Sequence, residues 1–123
     1  MIRVLLAFDP WLERNGLQEM IEADGDMRVV GRVGNGREAF ELCGRVAPDV
    51  ALMDMVMPGC DGIQGTRLIK TEYPLIKVLI LTSFSCRENI MKALSNGADG
   101  FIVNEAAPEE LLSAIRGVNH GFG

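Results

Sequence analysis

Asp54 is the residue of this chain best placed for chemistry. Four apolar residues, Val50-Ala51-Leu52-Met53, lead to it, and Met57-Pro58-Gly59 and Asp61-Gly62 then force an irregular loop. A carboxylate delivered in this way can help hold Mg²⁺, which takes a few carboxylate and backbone oxygens and keeps several waters. It can also attack phosphorus as a nucleophile. Alone it could equally just cap the end of a strand. Its company argues for chemistry, because other apolar runs end on Phe8 and Asp9, on Thr82 and Ser83, and on Asn104 and Glu105. The run that closes at Gly34-Asn35-Gly36 offers neither acid nor base.

These residues share a site only if the fold brings the ends of the runs together. The runs are Ile2 to Ala7, Met27 to Val33, Val50 to Met53, Lys77 to Thr82 and Gly100 to Val103, starting about every 25 residues, the length of one strand, one helix and two loops. The third and fourth are continuously apolar, the mark of central parallel strands covered on both faces. Between them lie stretches of helical spacing: Leu12, Leu17, Met20 and Ile21; Ala39, Phe40, Cys43 and Val46; Gly62 to Glu72; Ile90, Met91 and Leu94; and Leu111, Leu112, Ile115 and Val118. Asn35 with Glu38, and Ser85 with Glu88, have the spacing of helix N-caps. Pro74 stops the third helix, and Pro108 with Glu109 and Glu110 starts the fifth. Repeated strand-helix units with right-handed crossovers predict a doubly wound α/β domain with a parallel sheet. In such sheets the site lies beyond the carboxyl ends of the strands.

The 123 residues suffice for one domain with its own core. A net charge of −5 excludes a chain that grips nucleic acid by itself, although a partner domain could do so. Cys43, Cys60 and Cys86 form no CxxC pair and read as small apolar residues in a reducing compartment. No signal peptide and no apolar run near the length of a membrane span is present, so a cytoplasmic protein without membrane contact is expected. His120, near the tail, is expected to be exposed and inert.

The acid after the first run, "LMDMVMPGCDG" around Asp54, "LILTS" at the end of the fourth run, and "GADGFIV" leading into "APEELLSAIRGV" together resemble the receiver domain of two-component response regulators. The branch resembled is the NarL/LuxR type, and the likeness covers essentially the whole chain. It implies the (βα)5 flavodoxin-like fold with strand order 2-1-3-4-5 and no enzymatic role. It makes residues 1–119 the receiver and 120–123 the start of a linker to a C-terminal helix-turn-helix DNA-binding domain missing from this chain. By the same resemblance, a sensor histidine kinase passes a phosphoryl group to Asp54. Mg²⁺ is held by Asp54, the acidic pair after the first strand and the Val56 carbonyl, Thr82 contacts the phosphoryl group, and Phe101 switches rotamer.

Two positions depart from that pattern. Phe8 stands where the first acid of the pair belongs, and Asn104 where a lysine pairs with the phosphate. Phosphoryl transfer depends on positioning and on cations that neutralise the equatorial oxygens. A neutral donor such as Asn is worth about half a charge-assisted one. One negative and one positive charge are lost together, which fits a site remodelled as a unit; independent drift is the other explanation. The expectation is therefore an atypical receiver, a dimer regulating a transcription factor, with Mg²⁺ binding and Asp54 phosphorylation weak or absent. The alternatives are a conventional phosphorylated receiver and a flavodoxin-like cofactor binder. Against the last, the chain has no GxxxxGK loop, and Gly31, Gly34 and Gly36 have the wrong spacing for a dinucleotide fingerprint. Apolar residues on the first and fifth helices, such as Trp11, Leu12, Ile115 and Val118, are candidates for a dimer surface, although helical core is the commoner fate of such residues.

Overall fold

Five short apolar runs become five parallel strands in a computed structural model that describes residues 1–8, 16–57, 59–82, 87–103 and 106–121. The strands are β1 (Ile2–Ala7), β2 (Met27–Val33), β3 (Val50–Asp54), β4 (Lys77–Thr82) and β5 (Gly100–Val103). Helices α1 (Leu17–Glu22), α2 (Gly36–Val46), α3 (Gly62–Glu72), α4 (Arg87–Ser95) and α5 (Pro108–Asn119) alternate with them. The sheet order is β2-β1-β3-β4-β5, as the resemblance to receiver domains implies, with every neighbouring pair parallel.

Alternation along the strands divides the core into two layers. Val4, Leu6, Leu52 and Leu79 pack with Leu17, Ile21, Leu111, Ile115 and Val118 from α1 and α5. Leu5, Ala51, Met53 and Ile80 pack with Ala39, Cys43, Ile69 and Ala93 from α2, α3 and α4. Cys43 fills an apolar position, and burial pushes its thiol up to about 11, so it stays protonated at neutral pH. Cys60 is half-buried and its thiol is also raised, by desolvation and by Asp61. Among the described residues no helix is long and apolar enough to cross a membrane.

Local signals set the helix ends. Asn35 Oδ1 accepts from the Glu38 amide at 2.9 Å, so the expected cap forms. The Glu38 carboxylate returns to the Asn35 side-chain amide and to the Gly34 N–H. In α3, Asp61 and Gln64 make a reciprocal capping box, with bonds of 2.9 and 3.0 Å. Ser85, the cap expected for α4, lies outside the described residues, as do Leu12, Trp11 and Cys86.

Two expectations about exposure are corrected. The spacing of Ile90, Met91 and Leu94 suggests an inward stripe, yet Ala93 is the one buried residue of α4, and Met91 and Leu94 are 60% and 38% exposed. A helix seated through a small side chain leaves its larger neighbours on the flanks. Ile115 and Val118 are fully buried against the sheet and unavailable to a dimer surface. His120 is exposed at the end of α5.

Polar links tie the amino-terminal edge of the sheet. Lys70 Nζ, on α3, donates to the Asp99 carboxylate at 3.0 Å and to the carbonyls of Pro74 and Ile76 at 2.9 and 3.0 Å. The same Asp99 oxygen accepts from the Val78 amide at 2.8 Å. At the surface, Arg116 of α5 bridges Asp24 and Asp26 before β2, and its guanidinium holds the Asp26 carboxyl below the usual carboxylate range.

Candidate functional site

The carboxyl ends of β1, β3, β4 and β5 lie side by side, because Ala7 pairs with Met53, Asp54 with Leu81 and Thr82 with Val103. Asp54 is the last residue of β3 and half-buried. Burial of Val50 through Met53 delivers it there, and the Met55 amide then bonds the Leu81 carbonyl at 3.0 Å, holding the start of the loop against β4. Val56, two residues after Asp54, is 65% exposed.

Thr82 ends the neighbouring strand and is 2% exposed. Its Oγ1 is buried without a hydrogen-bond partner among the described residues. A buried hydroxyl left unpaired costs about 1–3 kcal/mol, so this atom suits a bond to an incoming acceptor such as a phosphoryl oxygen.

Phe8 is 9% exposed and belongs to the apolar layer with Leu6, Leu17, Leu81 and Leu111. Its amide bonds the Val33 carbonyl at 3.1 Å, extending the pairing of β1 with β2 by one residue. The ring therefore packs into the core and supplies no oxygen to a cation. Asp9, Asn104, Ser83 and Glu105 lie outside the described residues. Phe101, paired with Ile80, is 45% exposed and lines a groove of about 700 Å³ with Leu94, Glu110 and Val118.

The donor set fits Mg²⁺ thinly. Asp54 at the end of β3 and Asp9 in the sequence supply the usual one or two carboxylates of such a site, and the Val56 carbonyl would be the backbone oxygen. Among the described residues no cluster of three or more His, Cys, Asp or Glu side chains could hold a metal.

A positioning feature escapes the sequence reading. A Cβ on Gly62 would run into the carbonyl oxygen of Asp54 and lie 3.0 Å from Met55 Cα, so the first turn of α3 sits directly on the site backbone. The Gly62 amide donates to Met55 O at 3.0 Å, and Thr66 Oγ1 donates to Gly62 O at 2.6 Å. The Asp61-Gly62 dipeptide was the available signal, and it reads equally well as a turn. Gly62→Ala is expected to destabilise the chain by about 1–3 kcal/mol, as overpacking does, and to shift the Asp54 and Met55 amide resonances. Urea unfolding and amide NMR check both.

The geometry agrees with comparisons to known proteins. The family model described as the response regulator receiver domain matches residues 4–116. The transcriptional regulatory protein YxjL of Bacillus subtilis is 40% identical over 120 residues, 98% of this chain and 55% of that protein. LiaR of the same organism is 37% identical over 121 residues, 98% of this chain and 57% of LiaR. The chain thus spans little more than half the length of these relatives. Among solved structures, the signal receiver domain of a NarL response regulator from Mycobacterium tuberculosis superposes with a TM-score of 0.89 at 32% identity, covering 98% of this chain and 97% of that one. A LuxR-family DNA-binding response regulator from Staphylococcus aureus gives 0.88 at 29% identity, covering 97% and 99%. With a parallel 2-1-3-4-5 sheet, an aspartate closing its central strand and a family match over nearly its whole length, the chain belongs to the response regulator receiver domains of the NarL/LuxR type, which are signalling modules and not enzymes.

Proposed function

We propose that this receiver is atypical, controlling the DNA-binding domain of a transcription factor with weak or absent phosphorylation at Asp54. The observation that carries the reading is Phe8, whose ring is committed to the apolar layer at the position that would otherwise present an acid. Asn104 adds to it by removing the cation that would pair with the phosphoryl group. The separate DNA-binding domain is inferred from relatives that are transcriptional regulators and about twice as long as the matched region. A sensor histidine kinase and a homodimer belong to the same proposal, with residues 1–119 as the receiver and 120–123 as the start of a linker.

In this scheme Asp54 is the acceptor. One of its carboxylate oxygens bonds to phosphorus as the bond from phosphorus to the donor breaks. Asp9, Asp54 and the Val56 carbonyl would hold Mg²⁺, which when bound neutralises charge on the phosphoryl oxygens. Thr82 Oγ1 donates a hydrogen bond to one of those oxygens, and Asn104 offers a neutral donor in place of an ammonium. Phe101, on the strand next to Thr82, is the aromatic residue whose rotamer would report the added charge. With one carboxylate and one cation fewer, the product is stabilised less and forms slowly. A conventional phosphorylated receiver is the second reading, and the unpartnered Thr82 hydroxyl favours it.

Trp11, the sole tryptophan, lies two residues after Asp9 and reports on the metal site. Titration with Mg²⁺ is expected to change its fluorescence weakly and without saturation. Tight, saturable quenching accompanied by full Asp54 modification would overturn the proposal.

A further inference from the structure

The geometry points to the groove between α2 and α3 as a docking surface for an acidic amphipathic helix of a partner protein, giving this receiver an input other than phosphorylation. The role as an alternative input rests on the atypical reading; the surface itself does not. Gln64, Arg67, Leu68 and Thr71 line the groove from α3 with the i, i+3, i+4, i+7 spacing of one helix face, and Arg37 and Phe40 line it from α2. Its volume is about 770 Å³. Each flanking helix has 11 residues, about 16 Å, which matches three turns of a helix laid between them.

Charge selects the occupant. The chain carries a net charge of −5, yet the residues lining this groove include two arginines against one carboxylate, Glu72, with Glu41 at its edge beside Arg37. Arg37 is paired with Glu41 at 3.4 Å, and the two side chains are 62% and 57% exposed, so the bond exchanges readily for a partner's carboxylate. Arg67 is exposed, with no ion-pair partner among the described residues. The Arg37 guanidinium lies 5.7 Å from the centre of the Phe40 ring, which packs on Tyr73 at 5.8 Å. Arginine and aromatic residues held together in this way are the usual anchors of protein interfaces.

The groove is also lined by Gly59 and Cys60, which follow the Asp54 loop in sequence. The Cys60 carbonyl accepts from the Gly36 amide at 2.7 Å. A helix seated there touches Gly59, Cys60 and the start of α2 at Arg37.

Two synthetic helical peptides with the same leucine face, one flanked by glutamate and one by lysine, test this on the 123-residue chain by amide NMR. The glutamate peptide is expected to shift the resonances of Arg37, Phe40, Arg67 and Leu68 saturably. Binding should fall about ten-fold or more for the lysine peptide and for an Arg37→Glu, Arg67→Glu variant of unchanged melting temperature. No shifts, shifts centred on another surface, or equal binding of both peptides would overturn the inference. Concentration-dependent shifts without peptide would assign the groove to a second copy and overturn it too. Full phosphorylation of Asp54 with charge-selective groove binding would sink the atypical reading and leave the docking surface standing.

Discussion

Phe8→Asp and Asn104→Lys introduced together are expected to raise Mg²⁺-dependent phosphorylation of Asp54 by acetyl phosphate about ten-fold or more, with either change alone giving far less. The aspartate would add a carboxylate toward the cation, and the lysine would add a positive charge on the phosphoryl group. Each new charge is most useful when the other is present, since an added carboxylate without the lysine increases repulsion around Asp54. The gain has a structural cost. The Phe8 side chain is 9% exposed within the layer of Leu6, Leu17, Leu81 and Leu111, and truncating such a ring costs about 3–5 kcal/mol. The double variant should therefore be less stable than the native chain yet more readily phosphorylated. Loss of stability with no gain in modification, or equal modification of native and variant chains, would reject the remodelled site.

The second large effect concerns stability alone. Asp99→Ala is expected to destabilise the chain by about 2–4 kcal/mol, because it leaves two groups without their partner. The Val78 amide loses its acceptor at the start of β4, and the Lys70 ammonium, whose side chain is 15% exposed, keeps carbonyls but no countercharge. This cluster joins the end of α3, the α3–β4 loop, β4 and the turn before β5. Asp99→Asn keeps a neutral acceptor for Val78 and should lose roughly half as much. Urea unfolding of both variants, of Lys70→Met and of the Asp99→Ala, Lys70→Met double variant measures the coupling, and additive losses would show that the pair does not act as a unit.

Most of the scaffold was readable because each strand is a short apolar run bounded by turn residues. Four of the five runs coincide with the strands, and β3 gains only Asp54. The third helix ends at Glu72 because Pro74 restricts Tyr73, and the fifth begins at Pro108, as local chemistry predicts. Periodicity failed at α4, where Ile90, Met91 and Leu94 have inward spacing but Ala93 makes the buried contact. It left Ile115 and Val118 between a core face and a dimer face, which share one apolar pattern, and the structure makes them core. Spacing cannot show that Lys70 meets Asp99, 29 residues away, or that Gly62 rests on the carbonyl of Asp54, since both depend on how loops return across the sheet. At the site, Asp54, Thr82 and Phe101 fall on strands whose ends the register aligns, and Phe8 proves to be core.

The central claim is that this receiver carries its family's acceptor in a site poorly suited to loading it. The most direct measurement is the fraction of native chain phosphorylated at Asp54, read by intact mass after incubation with acetyl phosphate with and without Mg²⁺, with Asp54→Asn as control. Little modification, and little difference on adding Mg²⁺, is the predicted result. Near-complete modification that requires Mg²⁺ and disappears in Asp54→Asn would contradict it.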